Sequence, residues 1–221
     1  YTFNNSYFRN KFLNSKLNGN INFKDNFFFD LNFLINKINF RKLFLYFNSF
    51  PSQNISKNIN LSKKINGKIN INTKKTDSFL GRIENINLKI IFENGNIKIQ
   101  NASAILPASS LVKFNLSLID QGRDQNIKFF INFASENQKK FFRKFNLSLP
   151  EGDFSLISTG RVNVLKKEIK FKNITLNNAN LNRNKISIVE KSFNENILKD
   201  NLWDILDYFK IKTFINDIYE K

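Results

Sequence analysis

The chain has 221 residues, enough for one large domain or two small ones, and its 35 Lys and Arg against 18 Asp and Glu leave a net charge of +17. With 0 Cys and 0 His it excludes disulfides, thiolate metal sites and histidine-based acid–base or metal chemistry, so no cofactor or metal is expected. The cationic surplus favours anionic partners such as nucleic acid, phospholipid headgroups or lipopolysaccharide. An AT-rich codon bias toward Lys, Asn, Ile and Phe produces the same surplus without a binding role.

No apolar run approaches the ~20 residues needed to cross a bilayer; Phe27–Phe29 and Leu43–Phe47 are far too short. A start at Tyr1 with 0 Met reads as a fragment or a processed chain, with further sequence expected upstream.

Taken in chain order, the dominant period is two, that of a strand with one buried face. Phe27, Phe29, Leu31, Phe33 and Ile35 share a face within a Phe-rich first part, residues 1–62, expected to be continuous with the sheet that follows. The polar loop around Pro51 to Lys57 is the best candidate boundary. From residue 63 to 191 the alternation is regular: Ile65, Gly67, Ile69 and Ile71, then Ile86, Leu88, Ile90 and Phe92 until Ile91 breaks the pattern. Asn94-Gly95 suits a type I′ turn, since both residues tolerate positive φ, and Ile97 and Ile99 lead back. Val112, Phe114, Leu116 and Leu118 predict another strand, as do Ile127 to Phe133, Ser158 to Leu165, Glu168 to Leu176 and Lys185 to Val189. A loose repeat of Gly, a polar residue and alternation begins at Gly19, Gly67, Gly81, Gly95 and Gly160, which suggests a glycine at the turn before each new strand. Its uneven spacing is not that of a solenoid.

Two segments depart from the strand period. Ser135 with Gln138 forms a capping-box pattern that opens a short helix near 136–145. Ser192 with Glu195 repeats it at the head of the C-terminal part, 192–221, where Leu198, Leu202, Ile205, Leu206 and Phe209 recur at helical spacing and continue through Phe214, Ile215 and Ile218. This amphipathic helix is expected to cover one end of the sheet. At about 100° per residue, Phe141, Phe142 and Phe145 fall on one side of the short helix, and Lys139, Lys140, Arg143 and Lys144 on the other. A stacking platform for nucleic acid needs both classes on one exposed surface, so the phenylalanines are read as packing on the sheet.

No Walker loop, nucleophile elbow or dinucleotide fingerprint is present. The acidic residues fall at turns or on polar faces, such as Glu93, Asp120 and Asp124, so no catalytic residue is assigned. Sequons at Asn54, Asn101, Asn115 and Asn173 arise by chance in an Asn-rich chain and carry no assignment.

From Lys64 to Asn178 the order of elements resembles the AsmA-like family of Gram-negative envelope proteins. The resemblance lies in GKININ and RIENINLKIIFENGNIKIQNASAILPASS, then VKFNLSL, INFASENQKKFFRKFNLSLPEGDFSLISTGRVNV and KEIKFKNITLNNANL. Pro107-Ala-Ser-Ser stands where members of that family usually carry Gly-rich turns, and Tyr1 to Ser62 and the C-terminal helix match only vaguely. The resemblance implies an inner-membrane-anchored, periplasm-facing protein of outer-membrane biogenesis, its anchor upstream, moving phospholipid between membranes along an elongated β-groove, in the company of other envelope proteins.

Two helices are too few to cover so many apolar strand faces, so the sheet must close, stack or bind something apolar. The expected fold is mainly β with minor α: a long antiparallel meander forming a curved, open, groove-like sheet. The expected function is non-enzymatic, with acyl chains touching Ile97, Ile99, Val112, Phe114, Leu116 and Leu118. A closed β-sandwich with a structural or adhesive role is the alternative, and a basic nucleic-acid binder the third reading.

Overall fold

The structure is a computed structural model; it describes residues 1–24, 27–39, 42, 43, 45, 46, 64–78, 80–121, 124–200, 204, 205 and 207–219. Strand accounts for 59% and helix for 22% of these, so the chain is mainly β. The strands are β1 Thr2–Arg9, β2 Leu13–Asn22, β3 Phe27–Ile38, β4 Ile65–Ser78, β5 Gly81–Glu93, β6 Asn96–Leu106, β7 Ser110–Gln121, β8 Asp124–Ser135, β9 Phe154–Asn163, β10 Glu168–Leu176 and β11 Ala179–Asn180. They form one 11-stranded sheet in which spatial order equals chain order. The first and last strands do not pair, so the sheet is open. There is no second sheet among the described residues to make a sandwich.

The meander has one exception. β3 and β4 pair in parallel, Phe27 opposite Ile65 through Ile35 opposite Thr73. All other neighbours are antiparallel. A parallel pair cannot be joined by a hairpin and requires a crossover, which period-two patterning on either side does not reveal. The loop read as a boundary, Pro51 to Lys57, lies outside the described residues, while β1–β3 belong to the same sheet as β4–β11.

Because side chains alternate and each register is in phase, one face is apolar across the sheet. A single row runs Phe3, Gly19, Leu31, Ile69, Ile90, Ile99, Leu116, Phe129, Gly160, Phe171 from β1 to β10. The opposite face is mainly polar, with Phe28, Leu34, Phe130 and Ile157 exposed on it and Ile91 between Lys68 and Lys98. The parity survives because extra residues are absorbed in bulges, three of which carry Asn at positive φ: Asn5 (49°), Asn85 (49°) and Asn101 (53°). Left-handed backbone is strained for most side chains and tolerated by Asn. At two of these bulges an Asn of the next strand accepts the displaced amide, Asn5 N to Asn18 Oδ1 at 2.7 Å and Asn101 N to Asn115 Oδ1 at 2.8 Å.

The glycine repeat has another meaning than the predicted one. Gly81 and Gly95 do stand at turns, but Gly19, Gly67 and Gly160 lie inside strands. Gly67 is flanked by Phe29 and Phe92, whose rings meet at 5.3 Å, and Gly160 by Phe129 and Phe171, whose rings meet at 5.7 Å. A Cβ on Gly67 or Gly160 would come within 2.7 Å of the neighbouring ring. In both places the missing side chain is the space in which two phenylalanines from flanking strands touch.

Among the described residues three short helices have defined bounds, α1 Gln138–Phe142, α2 Arg183–Phe193 and α3 Tyr208–Tyr219, and residues 42, 43, 45 and 46 are helical too. α1 runs on into a 3₁₀ turn, Arg143–Phe145, and α2 into a wider π turn, Asn194–Leu198. The cap of α1 is Asn137, accepting from Lys140 N at 2.8 Å, and not Ser135, which is still in β8 and takes a hydrogen bond from Ser110. Lys185 to Val189 is helix rather than the predicted strand. Asn182 caps it, accepting from Lys185 N at 2.9 Å, and Ile186, Val189 and Phe193 follow at helical spacing onto the core. Ser192 therefore lies inside α2 and starts nothing. The predicted C-terminal helix is divided, α3 being opened by Asp207 accepting from Phe209 N at 2.8 Å. Leu202 and Leu206 lie outside the described residues.

Candidate functional site: the apolar sheet face

Helices occupy one end of the apolar face. Phe141, Phe142 and Phe145 are buried with Phe133 and Phe154, joined by Val112, Leu106 and Tyr208. α2, the turn after it and α3 pack Ile186, Ile197, Leu198, Ile211 and Phe214 on Phe129, Ile169, Phe171 and Ile174. The short helix is thus fixed by its phenylalanines, each contributing ~1.5–3 kcal/mol on burial, while Lys139 and Lys140 are exposed and Lys139 pairs with Glu151 at 3.1 Å. Lys144 is half-buried and donates to the Leu80 carbonyl.

Toward β1 the same face is not covered by α1–α3, and the helical residues 42, 43, 45 and 46 lie near the β1–β2 turn, where the Tyr46 ring meets Phe12 at 5.2 Å. Leu17, Ile21, Leu31, Phe33, Ile69, Ile71, Ile86, Leu88, Ile90, Phe92, Ile97 and Ile99 are half-buried on this part of the face, with Phe29 and Ile35 buried among them. An apolar surface of that extent on one side of a sheet is a candidate interaction site.

The six residues expected to touch lipid all project from this face: Ile97 opposite Leu118, Ile99 opposite Leu116, and Phe114 and Val112 opposite Ala102 and Ala104. They straddle two environments. Ile97 and Ile99 belong to the half-buried stretch, Leu118 is buried, and Val112 and Leu116 pack against the helix-covered clusters. Reasoning strand by strand missed the wider stretch on β2–β5, because which strands the helices cover is a tertiary fact. The signal available was the equal alternation in Ile65 to Ile71 and Ile86 to Phe92.

Two buried hydroxyls, Ser15 and Thr73, flank Ile35 on this face and have no hydrogen-bond partner, as does Ser158 beside Ile131. The polar face is stabilised instead by the cross-strand pairs Asn70 to Asn32 at 2.8 Å and Lys68 to Asp30 at 2.8 Å, and by Lys170 to Glu168 at 2.9 Å within β10. The hydrogen bond from Lys170 holds the Glu168 carboxyl below its ordinary value and raises the lysine above its own. Among the described residues no group of His, Cys, Asp and Glu could hold a metal ion, and no helix is long and apolar enough to cross a membrane.

Comparison with family models, with curated proteins and with solved structures gives no match to this chain.

Proposed function

We propose that the protein is a non-enzymatic, lipid-shielding β-groove module of the AsmA-like type, serving phospholipid transport or envelope assembly from a periplasm-facing, inner-membrane-anchored position. The observation that carries this reading is the apolar face, continuous over ten strands and covered by α1–α3 mainly from β7 to β10, with contacts reaching Leu106 at the end of β6 and Leu80 at the β4–β5 turn. Acyl chains suit such a surface because apolar burial is non-directional and scales with area rather than with any one contact. The partner is a phospholipid or another acyl-chain lipid, with other envelope proteins at the ends of the groove and no nucleic acid. Cations and the apolar face lie on opposite sides of the sheet, so a lipid seated on it meets few charges.

The test is lipid capture. Purified protein incubated with vesicles of a fluorescent phospholipid should extract the lipid, and Ile69→Asp or Ile90→Asp should lower the extracted amount several-fold. Extraction equal in the wild type and the aspartate variants, or none in either, overturns the reading.

A further inference from the structure

The polar face of the sheet is uneven in charge. One cross-strand row carries Lys68 on β4, Lys98 on β6, Lys128 on β8, Arg161 on β9 and Lys170 on β10. Three of these cations are matched by an acid: Lys68 by Asp30 at 2.8 Å, Lys98 by Glu93 at 3.0 Å and Lys170 by Glu168 at 2.9 Å. Lys128 and Arg161 stand directly opposite each other, and neither forms an ion pair or a side-chain hydrogen bond among the described residues. The Glu168 carboxyl is held low first by the hydrogen bond from Lys170, with Arg161 the weakest of the cations acting on it. Like charges directly opposite destabilise a sheet, and an anion between them removes that cost.

The surroundings turn the pair into a patch. From Lys113 on β7 to Lys170 on β10 this face holds no described Asp or Glu; beside the cations it presents Phe130 and Ile157, each 37% exposed, among Ser, Thr and Asn. Lys113, Lys128 and Arg161 are exposed too. The helices pack on the reverse side of the same strands, so a closely packed core holds the patch in its spacing.

We infer that this patch binds an anionic phospholipid surface, with Lys128 and Arg161 gripping one headgroup phosphate. Opposite side chains on adjacent strands start about 5 Å apart, and a guanidinium fork matches phosphate oxygens. A bilayer interface accepts cations and apolar side chains side by side, so Phe130 and Ile157 fit the same occupant. A nucleic-acid strand fits less well, since it calls for successive stacking rings along a track and the patch offers Phe130 alone. The inference concerns the face opposite the groove and stands whether or not acyl chains occupy the groove.

Co-sedimentation with vesicles checks it. The wild type should bind phosphatidylcholine vesicles containing phosphatidylglycerol about tenfold more tightly than pure phosphatidylcholine vesicles, and less tightly as salt rises. Lys128→Glu sets a carboxylate opposite Arg161, so it should lower that binding about tenfold while melting no lower than the wild type. Arg161→Gln should lower it about fivefold. Two controls should bind like the wild type: Lys140→Glu, the same change in net charge on the exposed side of α1, and Ile69→Asp on the apolar face. Equal binding to both kinds of vesicle, undiminished binding by Lys128→Glu, or an equal loss in Lys140→Glu overturns the proposal. So does capture of a single-stranded oligonucleotide that Lys128→Glu abolishes while vesicle binding persists.

Discussion

Asn101 stands at φ 53° in the β6 bulge, its amide held by Asn115, and that position sorts side chains by their tolerance of left-handed backbone. Asn101→Gly is expected to be nearly neutral, while Asn101→Val should cost about 1–2 kcal/mol in urea unfolding. Gly160 sorts them by volume. Its Cβ would lie 2.4 Å from the Lys170 carbonyl oxygen and 2.7 Å from the Phe129 ring, so Gly160→Ala should lose about 1–3 kcal/mol by overpacking even at an unstrained φ. Thr73 makes the contrary case. Its hydroxyl is buried without a partner, so Thr73→Val should be neutral or stabilising in the same measurement. These roles were only partly legible in the sequence. Alternation identified the face of each residue, and Asn94-Gly95 announced its turn. The bulge asparagines looked like composition, and Gly67 and Gly160 looked like turn markers, because their meaning depends on what stands opposite on the neighbouring strand.

At the scale of elements, α2 is both a roof for the core and a cap for the β10 edge. Glu190→Ala should leave the buried Phe171 amide unpaired, at a cost of about 1–3 kcal/mol, and expose part of a strand edge, so the variant should also aggregate more readily during refolding. α3 is held by a charged clasp, Lys210 Nζ lying 2.7 Å from both Asp200 and Asp204. Partial burial opposes the charge on Lys210, but the hydrogen bonds to the two carboxylates outweigh it and raise the lysine; the same bond lowers Asp200. A lowered carboxylate contributes stability above its ordinary value and loses it as pH falls through the depressed one. A raised lysine contributes below its ordinary value and loses it as pH rises through the elevated one. The difference in melting temperature between wild type and Lys210→Met should therefore be present at neutral pH and vanish in strongly acid and strongly alkaline solution. The sequence announced a helical C-terminal region but hid its division. Ile186-Ser-Ile-Val189 alternates like a strand, and Asn182, the residue that makes it helical, resembles any other Asn of the chain.

For the whole molecule, the open sheet was legible as a shortage of helix to cover so many apolar faces. The parallel joint was not, because β3 and β4 carry the same period as their antiparallel neighbours. The lipid proposal belongs at this scale too. The row from Leu31 to Leu116 acts as a surface, so a polar substitution on one strand should weaken capture in proportion to the area it interrupts, as extraction assays on Ile69→Asp and the Ile69→Asp/Ile99→Asp pair can measure.

That joint also bears on how the chain assembles. With spatial order equal to chain order, every strand meets only its sequence neighbours, and most contacts close over a hairpin. Structure can spread along such a sheet by zippering, each new strand costing little loop entropy. Between Ile38 and Ile65 the spread must stop, for there residues 39–64 have to be closed before a single pair forms. The connection between β8 and β9, residues 136–153, is long as well, but the closure before β4 is the longest and divides β1–β3 from β4–β11, so in native-state hydrogen exchange β1–β3 should open first and together.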